Sequence, residues 1–400
     1  MHASRSLPFY PVSSPWRHYP GLPRWLHEAV TTLLVVDGHA LLYMGLVLTA
    51  TMVIIALSYR YLNFQFRERE GVEEYYLLLL LATFGGLVLT TAAHFVSFFL
   101  GFELLGLSLC SLIGYLRTRR HPLEAAVKYL LLSITASALL LFGLALLYFE
   151  SGAMTFHDVG AIVKQAQSVP ALWLGGLILV LVGIALKLGL APFHMWVPDV
   201  YQGAPTPITA YLATVSKAAV VALLLRFATE VGLLDLPPVV HLFSLLAVVS
   251  MVTGNVLALL QENVKRLLAY SSIAHFGYVL VALLAGGPPA AEAVTFYVIV
   301  YCAMSLGAFG VVTVYSSEGG DKNRFEDYQG LVLDATLARW HVGTEPAVVG
   351  RYSSDGGIHR KVLCDCGRRR CRPVVAGAGA DREQRRQSLL LSSTHRDPVQ

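Results

Sequence analysis

Nine apolar runs of about twenty residues each fill the chain between positions 39 and 315, and nothing constrains its fold more. About twenty consecutive apolar residues carry a helix across the hydrocarbon core of a bilayer. Runs near 39–59, 75–92, 94–116, 124–149, 171–203, 206–228, 238–260, 264–285 and 289–315 meet that requirement. They lack the polar–apolar alternation that membrane barrels need. Composition agrees: 55% of residues are hydrophobic and 14% charged, against about a quarter charged in soluble domains. The expected fold is all-α, a polytopic transmembrane helical bundle embedded in lipid. Residues 1–35 form an irregular N-terminal arm, 36–330 the transmembrane domain, and 331–400 a tail of different character.

Short loops predict the orientation. Threading the runs places Arg60, Arg67, Arg69, Arg117, Arg119, Arg120, Lys265 and Arg266 on one side. The opposite loops carry Glu150, Asp158, Glu230, Asp235 and Glu292, while Lys164 and the N-terminal arginines run against the trend. An excess of Lys and Arg marks the cytoplasmic side. Cys110 and Cys302 lie far apart in apolar runs and read as packing residues.

One run is too long for a straight crossing. ALWLGGLILVLVGIALKLGLAPFHMWVPDVYQG, 171–203, contains Pro192 and Pro198, and each proline removes a backbone donor and crowds the preceding turn. A discontinuous helix is predicted, of the kind that lines ion sites in transporters.

Three ionisable residues fall near the middle of their runs: Glu103, Lys187 and Lys217. A bare charge there costs roughly 2.5–3.5 kcal/mol, so each must pair, lose its charge or meet water. The alternatives to a functional role are a structural ion pair or snorkelling to an interface. His194 follows the break and His275 sits mid-run; either reads equally as a packing histidine or a proton carrier. Lys128, early in its run after Glu124, reads equally as an interface lysine. Proton movement suits this set, because a buried Glu–Lys pair whose partners can be drawn apart is a switchable proton site. There is no dinucleotide fingerprint, no phosphate-binding loop, no HExxH and no cysteine cluster in the body. No redox centre is expected in the chain itself.

The stretch KLGLAPFHMWVPDVYQGAPTPITAYLATVSKAA, together with LGFELLGLSL, EAAVKYLLLSITASALLLFGLALLY and NVKRLLAYSSIAHFGYVL, resembles the N-type subunits of the bacterial proton-translocating NADH–quinone oxidoreductase, respiratory complex I. The resemblance covers roughly 35–330. It implies an antiporter-like fold of two inverted repeats, each with one broken helix, of which the second is truncated here. It also implies a membrane-arm subunit in the bacterial inner (cytoplasmic) membrane, moving protons while quinone is reduced elsewhere. The partners it implies are other membrane-arm subunits and the lipid bilayer, with no nucleic acid. NADH, flavin, iron–sulfur clusters and quinone would serve other subunits, and no cofactor or metal is expected in this one. Glu103 takes the role of the carboxylate of the first half-channel, Lys187 that of its switching partner, and Lys217 that of the central connecting lysine. Lys128 and His194 match positions the family also uses. The rival readings are an Mrp-type Na+/H+ antiporter subunit and a purely structural membrane subunit.

Two departures from the family's pattern stand out. Its members begin with further transmembrane helices where this chain has its Pro-rich arm. After Gly330 the sequence turns polar and unperiodic and ends in a Cys–Arg tract. His359, Cys364, Cys366 and Cys371 match zinc spacing poorly, and a basic nucleic-acid arm would lack a folded module to place it. Reverse translation of 348–370, read one base later, permits SLAGIPLTAGFIGKFYVIAAGVD, which resembles the family's second broken helix with its lysine. The tail is therefore expected to be an out-of-frame reading without a metal or nucleic-acid role. Pumping by the chain as written is expected to be weak or absent.

Overall fold

The computed structural model describes residues 28–29, 31–65, 72–116, 119–165, 169–316 and 323–328. Among these lie nine helical spans long and apolar enough to cross a membrane, at the places where the apolar runs put them. The order is α1 (Gly38–Gln65), α2 (Val72–Thr91), α3 (Phe95–Ile113), α4 (Arg120–Ser151), α5 (Phe156–Gln165), α6 (Ala171–Leu188), α7 (Trp196–Gly203), α8 (Thr206–Tyr211), α9 (Lys217–Val231), α10 (Pro237–Leu259), α11 (Val264–Leu284) and α12 (Gly287–Tyr315). A π-helical turn, Leu212–Ser216, joins α8 to α9 into one span. A two-residue antiparallel pair, β1 (Glu28–Ala29) with β2 (Val35–Val36), precedes α1. The expectations for Arg67, Arg69, Arg117 and the 331–400 tail, and nearly all of the N-terminal arm, lie outside the described residues.

Lipid is the only solvent that suits the outer surface. Phe149 and Leu259 are 76% and 87% exposed, and Leu77, Phe84, Leu100 and Phe296 also face outward. The α8–α9 span is buried along its whole length. Its sequence explains this: Ala213, Thr214, Ser216, Ala218, Ala219 and Ala222 are small enough to let neighbouring helices close around it. Glycines do the same between paired spans. A Cβ on Gly143 of α4 would lie 2.6 Å from the Gly176 carbonyl oxygen of α6, and one on Gly254 of α10 would lie 2.6 Å from the Ala274 nitrogen of α11.

The long 171–203 run is broken as expected, though its stop signal is Gly189. This residue takes the left-handed conformation (φ 71°) that ends α6, and its N–H donates to the Leu186 carbonyl. Pro192 lies in the irregular segment that follows. Pro198 interrupts nothing, because it sits in the first turn of α7, where a missing N–H has no partner to lose. The opened backbone finds side-chain partners: Trp196 Nε1 donates to the Leu186 carbonyl at 3.0 Å, and the Ala191 N–H donates to Ser250 Oγ at 2.9 Å.

Three charges expected in loops lie elsewhere. Lys164 belongs to α5, a ten-residue amphipathic helix too short to cross. Lys265 is fully buried and donates to the Ala204 carbonyl at 2.9 Å, at the end of α7 where the helix dipole favours a cation. Glu230 belongs to the last turn of α9, which runs past the expected end at 228.

Candidate functional site

The two mid-span lysines, Lys187 and Lys217, are each met by a serine hydroxyl and aromatic rings, and neither makes a direct contact with a glutamate. Lys187 lies in the last turn of α6, 5% exposed, where the terminal carbonyls favour positive charge. Its Nζ donates to Ser133 Oγ of α4 at 3.3 Å and lies 4.7 Å from the Phe102 ring centroid and 5.3 Å from that of Tyr129. Glu103 of α3 accepts a hydrogen bond from Ser137, also of α4. Ser133 and Ser137 are four residues apart, so they stack on one face of α4 and hold the lysine and the carboxylate on adjacent turns. Glu103 and Lys187 are close enough for their charges to interact, yet no ion pair within 4 Å joins them. Two opposite charges held apart by neutral hydroxyls can close on one another with small side-chain movements.

Gly106 makes room for the ammonium group. A Cβ there would lie 2.7 Å from Lys187 Nζ and 3.0 Å from Ser133 Oγ. The clash is with the far end of a flexible side chain, so Gly106→Ala is expected to leave assembly intact and displace Lys187 from Ser133. If the ammonium group carries protons, proton movement by the assembled protein should fall severalfold at normal assembly, and unchanged movement would show that the position of the ammonium group is unimportant.

Lys217 begins α9 directly after the π turn, 2% exposed. Single π turns inside helices recur at functional sites. Its Nζ donates to Ser272 Oγ of α11 at 2.9 Å and lies 4.6 Å from the Phe276 ring centroid and 5.8 Å from that of Tyr201. One helical turn beyond Ser272, half-buried His275 shares a 2.7 Å hydrogen bond with Tyr297 of α12 and packs beside Tyr301. His194 lies within the break, buried, with its ring against that of Tyr270. Its Nδ1 and the hydroxyls of Tyr129 and Tyr201 are buried without a protein partner among the described residues. Buried polar atoms of this kind are ordinarily met by water; the Tyr129 ring lies beside Lys187 and the Tyr201 ring beside Lys217.

Lys128 stands apart from that row. It is partly exposed and pairs with Glu124 at 2.9 Å and Asp199 at 2.8 Å, and Asp199 in turn pairs with Arg266 at 2.7 Å. These charges tie α4, α7 and α11 together beside a cavity of about 490 Å³ lined also by His121, Gln202 and Asn323. Burial raises the Asp199 carboxyl, but Lys128 and Arg266 outweigh it and hold the group below its ordinary value. Cys110 and Cys302 are unpaired and pack as expected. Among the described residues no group of three His, Cys, Asp or Glu side chains is arranged to hold a metal.

With this geometry in place, similarity to known proteins is decisive. The family described as NADH:quinone oxidoreductase/Mrp antiporter, transmembrane, matches residues 92–342. The chain belongs to this family. It is 48% identical over 313 residues to NADH-quinone oxidoreductase subunit N of Ectopseudomonas mendocina, covering 76% of this chain and 62% of that one. With subunit N of Methylococcus capsulatus it shares 47% over 306 residues, covering 76% and 61%. It therefore spans less than two thirds of the length of these relatives. Among solved structures, a chain of respiratory complex I from Thermus thermophilus superposes with a TM-score of 0.63 at 37% identity, covering 76% of this chain and 63% of that one. A chain of the archaeal membrane-bound sulfane sulfur reductase gives 0.62 at 27%, covering 74% and 59%.

For a member of the NADH:quinone oxidoreductase/Mrp antiporter family, the charged residues of the row were legible in sequence because charge is conspicuous in an apolar run. Ser133, Ser137, Ser272 and Gly106 were not, because small polar residues and glycines are common in membrane helices. The four-residue spacing of Ser133 and Ser137 was the one available signal. Arg226, buried in α9 against Asp37, was missed although it is a charge within a predicted span.

Proposed function

We propose that this chain is a membrane-arm subunit of a proton-translocating NADH–quinone oxidoreductase, moving protons through Glu103, Lys187, Lys217 and His275 while other subunits carry NADH, flavin, iron–sulfur clusters and quinone. The observation that carries the reading is the hydroxyl-bridged placement of Glu103 and Lys187 on adjacent turns of α4. A structural ion pair would bring the two groups into contact; a switch keeps them separable. His194 supplies a further proton-carrying group in the break between the two lysines' helices. Lys128 acts at the rim, where its ion pairs with Glu124 and Asp199 set how the cavity meets the cytoplasm. The similarity to named N subunits at 48% and 47% identity favours this assignment over an Mrp-type antiporter.

On this reading the subunit sits in the bacterial inner membrane with its Arg-rich loops inward, bound to neighbouring membrane-arm subunits. The antiporter-like transmembrane domain occupies 36–330, with the first inverted repeat whole and the second truncated. The segment 331–400 is an out-of-frame continuation. Resequencing the gene across codons 325–335 tests that boundary: a spurious base there should restore a frame reading SLAGIPLTAGFIGKF. Vesicle assays test the function. The isolated chain is expected to exchange no Na+ for protons, whereas the assembled complex acidifies the vesicle only when quinone is being reduced. Sodium-dependent proton exchange by the isolated chain would favour the antiporter instead.

A further inference from the structure

A second group of buried charges lies at the opposite end of the bundle from the Arg-rich loops, and the row described above does not use it. Arg226 of α9 is 2% exposed and grips Asp37 with both ends of its guanidinium, Nη2 to Oδ1 at 2.8 Å and Nη1 to Oδ2 at 3.1 Å. Asp37 also caps α1, its Oδ1 accepting from the Ala40 N–H at 2.8 Å. Glu230, one turn further along α9, lies 3.8 Å from Arg226 Nη1, too far for a hydrogen bond, with its side chain 13% exposed. Arg226 Nε is buried and has no partner among the described residues.

The charge count is decisive. One guanidinium faces two carboxyl groups, and Asp37 already takes both of its Nη groups. A second carboxylate in that place, largely buried, without a hydrogen-bond donor of its own and sharing one guanidinium with Asp37, meets a desolvation cost that the neutral acid avoids. The unused Nε–H gives the guanidinium a way to accept Glu230 once its proton has gone. We propose that Glu230, with Asp37 and Arg226, forms a second proton-holding site at the acidic-loop end of the chain, in which Glu230 carries the proton and exchanges it with the water outside. On release, the Glu230 O–H bond breaks, water takes the proton, and the carboxylate left behind is met by Arg226.

The surroundings fit exchange from that side. α5 lies directly over the end of α9, where a Cβ on Gly160 would come within 2.1 Å of the Glu230 carbonyl oxygen. It brings half-exposed His157, itself beside Asp158, to where its charge acts on Glu230. His39 of α1 bonds the Ala222 carbonyl at 3.1 Å and acts on Asp37. Lys164 and Asp235 flank Gly232 just beyond. Arg226 follows Lys217 by nine residues of one helix, about 14 Å along its axis. The direction of travel implied here rests on the proton-moving reading, but the protonation of Glu230 does not.

Infrared difference spectroscopy on the full chain in sealed lipid vesicles tests the site. A protonated-carboxyl C=O band is expected at neutral pH that responds to external pH and is absent in Glu230→Gln. In Asp37→Asn the freed guanidinium should pair with Glu230, so the same band should vanish although Glu230 is present. If Asp37→Asn fails to fold, Glu230→Gln alone decides, because it replaces a neutral acid by a neutral isostere. A spectrum unchanged by Glu230→Gln overturns the proposal, as does a band that ignores external pH. Lys187→Ala separates the two readings: it should leave this band in place, whatever it does to pumping.

Discussion

Lys187→Ala in the assembled complex, with the reading frame restored, is expected to suppress proton pumping by at least one and up to several orders of magnitude. Positioned proton-transfer groups commonly contribute about 10²–10⁴-fold. The loss should come without loss of assembly. Lys187 contributes no direct ion pair, and its removal leaves Ser133, Phe102 and Tyr129 around an uncharged space. Glu103 keeps its bond to Ser137. Pumping measured against quinone reduction in vesicles reads the effect. Unchanged coupling at normal assembly would remove Lys187 from the mechanism and favour a purely structural subunit. Lys187→Arg should not rescue, because a planar guanidinium that never deprotonates cannot give up the proton.

Arg226→Ala is expected to cost about 3–5 kcal/mol of stability, the range for stripping one partner from a buried ion pair. Asp37 would be left charged, buried and without its guanidinium, at the first turn of α1. Thermal unfolding in detergent should report a large drop. The double variant Asp37→Ala/Arg226→Ala should recover part of it, because no orphan charge remains. Equal losses in the single and double variants would mean that the pair contributes nothing specific. The pH dependence follows from Asp37. Burial pushes its carboxyl up, but the Arg226 charge and hydrogen bonds and the Ala40 N–H outweigh burial and hold it below the ordinary 3.8. A carboxyl depressed in the folded state contributes stability fully above the ordinary value and loses it as pH falls through the folded one. This end of the bundle should therefore resist mild acid and loosen only below the usual carboxylate range.

The nine spans were legible because the bilayer imposes one length and one polarity on every crossing. The broken helix was legible through its excess length, and Glu103, Lys187 and Lys217 through the cost of charge in an apolar run. The stop at Gly189 escaped notice because a glycine's left-handed conformation leaves no mark on hydropathy, whereas Pro198 was over-read because a proline in a first turn breaks nothing. Lys265 and Glu230 looked like loop charges because a helix end that is buried by its neighbours reads, in sequence, like one that meets water.

The sequence by itself determined the class of fold, the number of described crossings and the three mid-run charges Glu103, Lys187 and Lys217, since each follows from local transfer free energies. Only the tertiary structure decided which groups meet. It separated Glu103 from Lys187 by two serines of α4, gave Lys217 a serine of α11, and set Arg226 between Asp37 and Glu230, which lie 193 residues apart in sequence. Hydropathy is a property of one helix at a time, whereas partners are chosen by how helices pack, through small residues such as Gly106, Gly143 and Gly160 that allow backbones and side chains to approach.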